Sequence, residues 1–384
     1  MKAKAFSGRL AAWALSALAL SACSRQQGGA PRGQGRGGGG QGRGGGGHGR
    51  GGGRQGGKAG GAKIALLLPE SKTARYESKD RPFFEAKVKA LCPDCQILAS
   101  NANQDASQQQ AQAEAALTNG ASVLVLDAVD SASAAVIANK AQKVPVIAYD
   151  RLVPGTDAID YDVSFDNEAV GRLQGESLLK ALESKPTARV VMINGAATDD
   201  NGLTFKKGAH GALDGKVRVV KEYDTPDWSP DKAQDQMTQA LTALNNQVDG
   251  VYAANDGTAG GAIAAMKAAG IKPLPPMTGQ DAELAAVQRI LLGEQYMTVY
   301  KAIKPQAEAA AVIAYHLATG KPVPTDITGG KTVSNGTKDV PSVLLVPLAV
   351  TKENLKDTVI ADAFWTQEQI CTAQYAEACK AAGL

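Results

Sequence analysis

Histidine is almost missing from this 384-residue chain: only His48, His210 and His316 occur, and none stands at the spacing of a zinc site. There is no GxSxG elbow, HExxH pair, complete P-loop or EF-hand calcium loop. Gly329-Gly-Lys-Thr332 ends like a Walker A motif, but Thr325 stands where its first glycine belongs. A GxGxxG match at 33–38 lies in a glycine tract with no strand before it. Catalysis, metal binding and cofactor binding are therefore not expected. Aromatic residues make up 5% of the chain, so a tryptophan outside a helix needs a reason. Acidic residues are absent from the first 62 positions, which hold ten Lys/Arg.

That basic head misrepresents the rest. The whole chain has a formal charge of +3, yet positions 63–384 hold 31 Lys/Arg against 38 Asp/Glu, a net charge of −7. No clustered basic face for nucleic acid is expected there. The one marked apolar run near the start, 10–20, is shorter than the roughly 20 residues needed to span a bilayer. With Lys2, Lys4 and Arg9 before it and Leu20-Ser-Ala-Cys23 after it, it reads as a secretory signal peptide over 1–22. Residues 24–62 form a Gly/Arg-rich linker, best read as a solvated leash. The remaining cysteines, Cys92, Cys95, Cys371 and Cys379, are even in number, as expected of disulfides in an exported chain, and their spacings favour 92 with 95 and 371 with 379. Cys92-Pro-Asp-Cys95 also fits a redox CxxC, but it follows a helical stretch and leads into a strand, the reverse of the redox arrangement.

From Lys63 onward, apolar runs of four to eight residues alternate with amphipathic stretches. Strands are expected at 63–69, 96–99, 122–127, 144–149, 161–165, 189–194, 217–223, 248–253, 277–279 and 295–300. Helices are expected at 105–119, 131–142, 167–184, 230–246 and 258–269. The alternation describes βαβ units around parallel sheets buried on both faces, an α/β fold. A break near 165 divides the strands into two series, hence two sheets. In such sheets ligands bind beyond the carboxyl ends of the strands.

Those ends carry Lys72-Thr-Ala-Arg75-Tyr76, Tyr149-Asp150-Arg151, Asp199-Asp-Asn201, Asp227-Trp228, Asn255-Asp-Gly257, Gln280-Asp281 and Tyr300-Lys301. Carboxylates and amides accept, and guanidinium and ammonium groups donate, the hydrogen bonds that sugar hydroxyls make; an aromatic ring covers the apolar face of a pyranose. Taken singly, Asn255, Asp256 and Asp281 also fit helix N-caps, Asp150-Arg151 a surface ion pair and Trp228 surface packing. The collective placement favours a sugar site.

Tyr149-Asp-Arg, Ser164-Phe-Asp-Asn-Glu168, Ala254-Asn-Asp-Gly-Thr-Ala-Gly-Gly261, Gly279-Gln-Asp, Met297-Thr-Val-Tyr-Lys301 and Lys338-Asp-Val-Pro-Ser342 make the chain resemble the sugar-binding type I periplasmic binding proteins, xylose binders in particular. The likeness covers 63 to about 365. It implies two Rossmann-like lobes, 63–165 plus 299–343 and 166–298 plus 344–384, joined by three crossovers near Phe165, Val299 to Lys301 and Leu344 to Val346. By motif it assigns sugar contacts to Arg75, Asp150, Arg151, Asp199, Asn201, Asn255, Asp281 and Lys301, with Trp228 and Tyr76 stacking. In the family a tryptophan stands where this chain has Tyr76, a departure that bears on selectivity for xylose. Cys23 falls where bacterial lipoproteins carry their lipid. The resemblance implies a monomeric, membrane-anchored capture protein serving an ABC-type permease; the alternative is a sugar-sensing partner of a chemoreceptor or sensor kinase. A sugar-responsive transcription regulator would need a helix-turn-helix where the export signal stands.

Overall fold

The computed structural model describes residues 61–384 apart from 184 and 186. The expected signal peptide, the lipid-bearing Cys23 and the linker up to residue 60 lie outside the described residues. The first half alternates as expected: β1 (Lys63–Leu68), α1 (Arg81–Leu91), β2 (Gln96–Asn101), α2 (Ala106–Thr118), β3 (Val123–Leu126), α3 (Ser131–Ala141), β4 (Val146–Tyr149) and β5 (Tyr161–Phe165). The second series follows with α4 (Asn167–Ala181), β6 (Arg189–Asn194), α5 (Asp200–Leu213), β7 (Arg218–Asp224), α6 (Pro230–Leu244), β8 (Gly250–Ala253), α7 (Asp256–Ala268), α8 (Leu284–Leu292) and β9 (Thr298–Tyr300). Then come α9 (Ile303–Ala318), β10 (Thr332–Ser334), β11 (Asp339–Leu345), β12 (Leu348–Val350) and two short helices, α10 (Gln367–Ile370) and α11 (Ala376–Ala381).

Successive strand residues point to opposite faces, and each face is filled by a different helix pair. Ile64, Leu66 and Leu68 of β1 join a core with Phe84 and Val88 of α1 and Ile313 of α9. Ala65 and Leu67 join a second core with Ala113 of α2 and Ile137 of α3. The same division recurs in β6, where Val190 and Met192 pack with α4 and α5, and Val191 and Ile193 with α6 and α7. Near-continuous apolar strands are thus the direct consequence of a sheet covered twice.

The first sheet has the order β10-β11-β5-β4-β3-β1-β2, parallel except for the antiparallel edge strand β10. The second is built on β7-β6-β8 and extended by the single bridges Val251 to Met277 and Gln280 to Val299 towards the β12-β9 pair. In each, the second strand of its series lies outside the first, so the strand order reverses beside β1 and beside β6. The chain passes between the sheets three times: after β5, after β9 and after β11.

Some expectations shift. Residues 277–279 form no strand, only a single bridge at Met277, following Pro275 and Pro276, which have no backbone N–H to donate. The expected strand 295–300 shrinks to β9, because Tyr296 and Met297 donate to the single carbonyl of Met277. β9 also pairs with β12, so Thr298–Tyr300 stays with the second sheet. Strands β10 to β12 were not expected: β10 and β12 have three residues each, and the seven-residue β11 contains Pro341. The sulfur atoms of Cys92 and Cys95, and of Cys371 and Cys379, lie at disulfide distance. Among the described residues no helix is long and apolar enough to cross a membrane, and no group of three or more His, Cys, Asp or Glu is arranged to hold a metal ion.

Candidate functional site

The loop after β1 turns sharply because the buried Glu70 carboxylate accepts from the backbone N–H of Thr73 at 3.0 and 3.2 Å. That turn aims Arg75 and Tyr76 inward. The Arg75 guanidinium grips both oxygens of Asp80, at 2.9 and 2.7 Å, and reaches Asp150 at 2.9 Å and the Gln306 amide oxygen at 2.8 Å. Asp150 follows β4 with φ of +61°, in the left-handed region, and its backbone N–H donates to the Val163 carbonyl. Its second oxygen accepts from the Tyr76 hydroxyl at 3.3 Å. Burial acts to raise the Asp150 carboxyl, but Arg75, Lys301 and Arg151 outweigh it and hold it well below the usual carboxylate range.

Arg151, next in the chain, does not pair with Asp150 as a surface ion pair would. It is buried, donates to the Ala128 carbonyl at 2.7 Å and to the Tyr76 hydroxyl at 3.2 Å, and its Nε lies 3.0 Å from Asp199 of the facing lobe. Tyr76 is therefore flanked by two guanidinium groups, 5.3 and 5.7 Å from its ring centroid. Asp127, at the end of β3, is also fully buried, 3.5 Å from Arg151, and burial drives its carboxyl well above the usual range.

From the second sheet, Asp199 caps α5 through the Asn201 N–H at 2.9 Å and accepts from the Trp228 indole N–H at 2.9 Å. The Trp228 ring meets Phe205 edge-on at 6.3 Å and covers Gly195 so closely that an added Cβ would stand 2.1 Å from the ring. Asn201 donates to the Asp150 carbonyl at 3.0 Å and accepts from Asn167 at 2.7 Å. Asn255 does cap α7, in a capping box with Thr258, and its side chain also faces the cavity. Asp281 is not a helix cap: φ is +89°, and its carboxylate lies 3.2 Å from the Lys301 ammonium and 3.7 Å from Arg75.

These groups line a cavity between the two sheets whose empty space, part of it open to solvent, is about 260 Å³. Of the ten residues singled out, Tyr76, Asp150, Arg151, Asp199, Asn201, Trp228, Asn255, Asp281 and Lys301 line it. Arg75 does not; it stands behind Asp150, with its donors engaged by Asp80, Asp150 and Gln306. Thr73, Phe205 and Gln280 also line the cavity and were missed. Gln280 and Thr73 lie inside stretches already noted, but Phe205 is a mid-helix residue with no local signal. Two acceptors in the wall, Gln280 Oε1 and Asp281 Oδ1, accept no hydrogen bond. The arrangement can hold a small molecule bearing several hydroxyl groups: acceptors on both lobes, cations between them, and aromatic faces from Tyr76, Phe205 and Trp228. The lobes also touch at the cavity's edge, where Ser131 N–H donates to the Thr198 carbonyl at 3.0 Å.

Residues 64–322 match the periplasmic binding protein domain. The D-xylose-binding periplasmic protein of Haemophilus influenzae is 39% identical over 315 residues, covering 80% of this chain and 92% of that protein. Its namesake in Escherichia coli is 37% identical over 315 residues with the same coverage. A solved structure of an ABC transporter solute-binding protein from Clostridium phytofermentans, with bound β-D-glucose, is 27% identical. It superposes with a TM-score of 0.73, covering 80% of this chain and 99% of that one.

Proposed function

The chain belongs to the periplasmic binding protein family, and from that membership we propose that it captures a monosaccharide, D-xylose or a sugar of similar size, between its lobes and delivers it to an ABC-type permease. The observation that carries this reading is the cavity itself: buried carboxylates from both lobes alternate with Arg151 and Lys301, beside an aromatic wall. Each sugar hydroxyl both donates and accepts, so it meets a complementary group whichever way it points. Arg75 acts as a positioning residue, holding Asp150 ionised and aimed.

No bond is made or broken. Sugar stabilises the closed form because only there do both lobes contact it. The bodies that move are 63–165 with 299–343 and 166–298 with 344–384; the pairing of β9 with β12 supports counting Thr298–Tyr300 with the second. The protein acts as a monomer outside the cytoplasm, held to the membrane by a lipid on Cys23. A Gly-rich leash over 24–62 has a reach of roughly 30 to 37 Å, room enough for the lobes to meet a permease in the same membrane.

Titration calorimetry with xylose, arabinose, ribose, galactose and glucose tests the reading. Binding of at least one, with a matching rise in melting temperature, is expected. No heat with any pentose or hexose would refute it.

A further inference from the structure

The carboxylate of Asp281 is presented by an unusual turn. Asp281 and Ala282 follow one another in the left-handed region, with φ of +89° and +48°, and neither is glycine. Such backbone persists only where its surroundings over-determine it. Here Asp281 N–H donates to the Val299 carbonyl at 2.9 Å, Ala282 N–H to the Thr298 hydroxyl at 3.1 Å, and the Ala282 carbonyl accepts from the Trp365 indole N–H at 2.8 Å.

Trp365 lies far along the chain, in the segment that follows β12. That segment is anchored on the second lobe, where Phe364 packs edge-on against Tyr300 with centroids 5.2 Å apart and Asp362 accepts from the Tyr300 hydroxyl at 3.1 Å. The first lobe reaches the same place through Lys79, four residues beyond Arg75. Its ammonium donates to the Phe364 carbonyl at 2.6 Å and sits 3.9 Å from the centroid of the Trp365 ring and 4.8 Å from that of Phe364. Neither Lys79 nor Trp365 lines the cavity. The contact joins the two lobes, and it ends on the residue that braces the Asp281 turn.

We propose that Lys79, Phe364 and Trp365 form a clasp between the lobes that sets ligand affinity from outside the cavity, engaging when the lobes meet and fixing the turn that presents Asp281. The inference rests on the capture reading for its affinity readout and on geometry alone for the clasp. The aromatic pair and carbonyl supply what an ammonium needs: two π faces and one acceptor.

The test uses the full chain with Lys79→Met, Lys79→Arg and Trp365→Phe, read by calorimetry with D-xylose and by small-angle scattering without sugar. Lys79→Met should weaken D-xylose binding about 2- to 30-fold, the span of a cation–π contact, at unchanged stoichiometry. Lys79→Arg should restore most of it. Trp365→Phe keeps a ring for the ammonium but removes the donor to Ala282, and should also weaken binding. Combining Lys79→Met with Trp365→Phe should cost less than the two losses multiplied. Unchanged affinity in both single variants, or fully multiplicative losses, overturns the clasp. Constant stoichiometry separates lost affinity from lost folding. If the unaltered protein binds no monosaccharide, the capture reading fails, and the clasp is judged by scattering. An expanded sugar-free Lys79→Met protein then supports it, and an unchanged radius overturns it.

Discussion

Asp150→Asn isolates charge from shape at the centre of the cavity. The amide is nearly isosteric with the carboxylate, and asparagine tolerates the left-handed backbone that position 150 requires, with φ of +61°. Its oxygen can still accept from Arg75 and Gln306, as Asp150 Oδ1 does at 2.9 and 3.2 Å. What disappears is a negative charge 2.9 Å from Arg75 and 3.7 Å from Lys301. Removing one partner of a buried pair costs about 3–5 kcal/mol. Arg75 retains both oxygens of Asp80, so the lower end applies, about 3 kcal/mol. A charged acceptor for a sugar hydroxyl is also lost, worth about 1.5–3 kcal/mol, or roughly 10- to 150-fold in Kd. Thermal unfolding should show the first effect without sugar, and calorimetry the second. The pH dependence supplies a further sign. The folded-state pKa of Asp150 is depressed, so its contribution is present above about 3.9 and is lost as pH falls through the lower folded value. Asp150→Asn should therefore be penalised at pH 7 and converge on the parent protein in strong acid. Equal affinity and equal melting temperature at pH 7 would refute the assignment of Asp150 as the charged centre of the site.

Two other outcomes follow from the same physics. Asp162, fully buried between β4 and β11, has its carboxyl pushed up by burial to about 8, and Glu283 likewise to about 8. Raised carboxyls stabilise most below about pH 4 and lose that contribution as pH rises through the folded value, so melting temperature should fall between pH 5 and 8. Asp162→Asn should flatten that slope by up to about 4 kcal/mol; parallel slopes in the two proteins would count against it. Deleting residues 24–60 while keeping Cys23 should leave sugar affinity intact and change only uptake or membrane proximity, and a lost affinity would contradict the leash.

How much of this was legible beforehand depends on where each signal lives. Ile64 to Leu68 and Val123 to Leu126 are apolar because both sheet faces are covered, and that requirement is written locally. The polar residues after each strand were equally visible, which is why Asp150, Arg151, Asp199 and Lys301 could be named from their positions alone. Phe205, Gln306 and Asp80 were not: the first two sit inside helices and Asp80 immediately before α1, and their bearing on the site comes from tertiary packing. The positive φ of Asp150 and Asp281 was hidden for a related reason. Nothing but the surrounding hydrogen bonds forces a non-glycine residue there. Strand β11, broken in pattern by Pro341, became a strand through pairing with β5, over 170 residues earlier in the chain.

That last pairing has a temporal meaning. Ser342 lies beside Asp162, and Leu345 beside Phe165, so the first lobe cannot complete its sheet until almost the whole polypeptide has been synthesised. The second lobe meanwhile waits for Val350 to reach Thr298. Each lobe is thus completed by strands from the far end of the chain, and long-range strand pairing is slow because its loop must close before any contact rewards it.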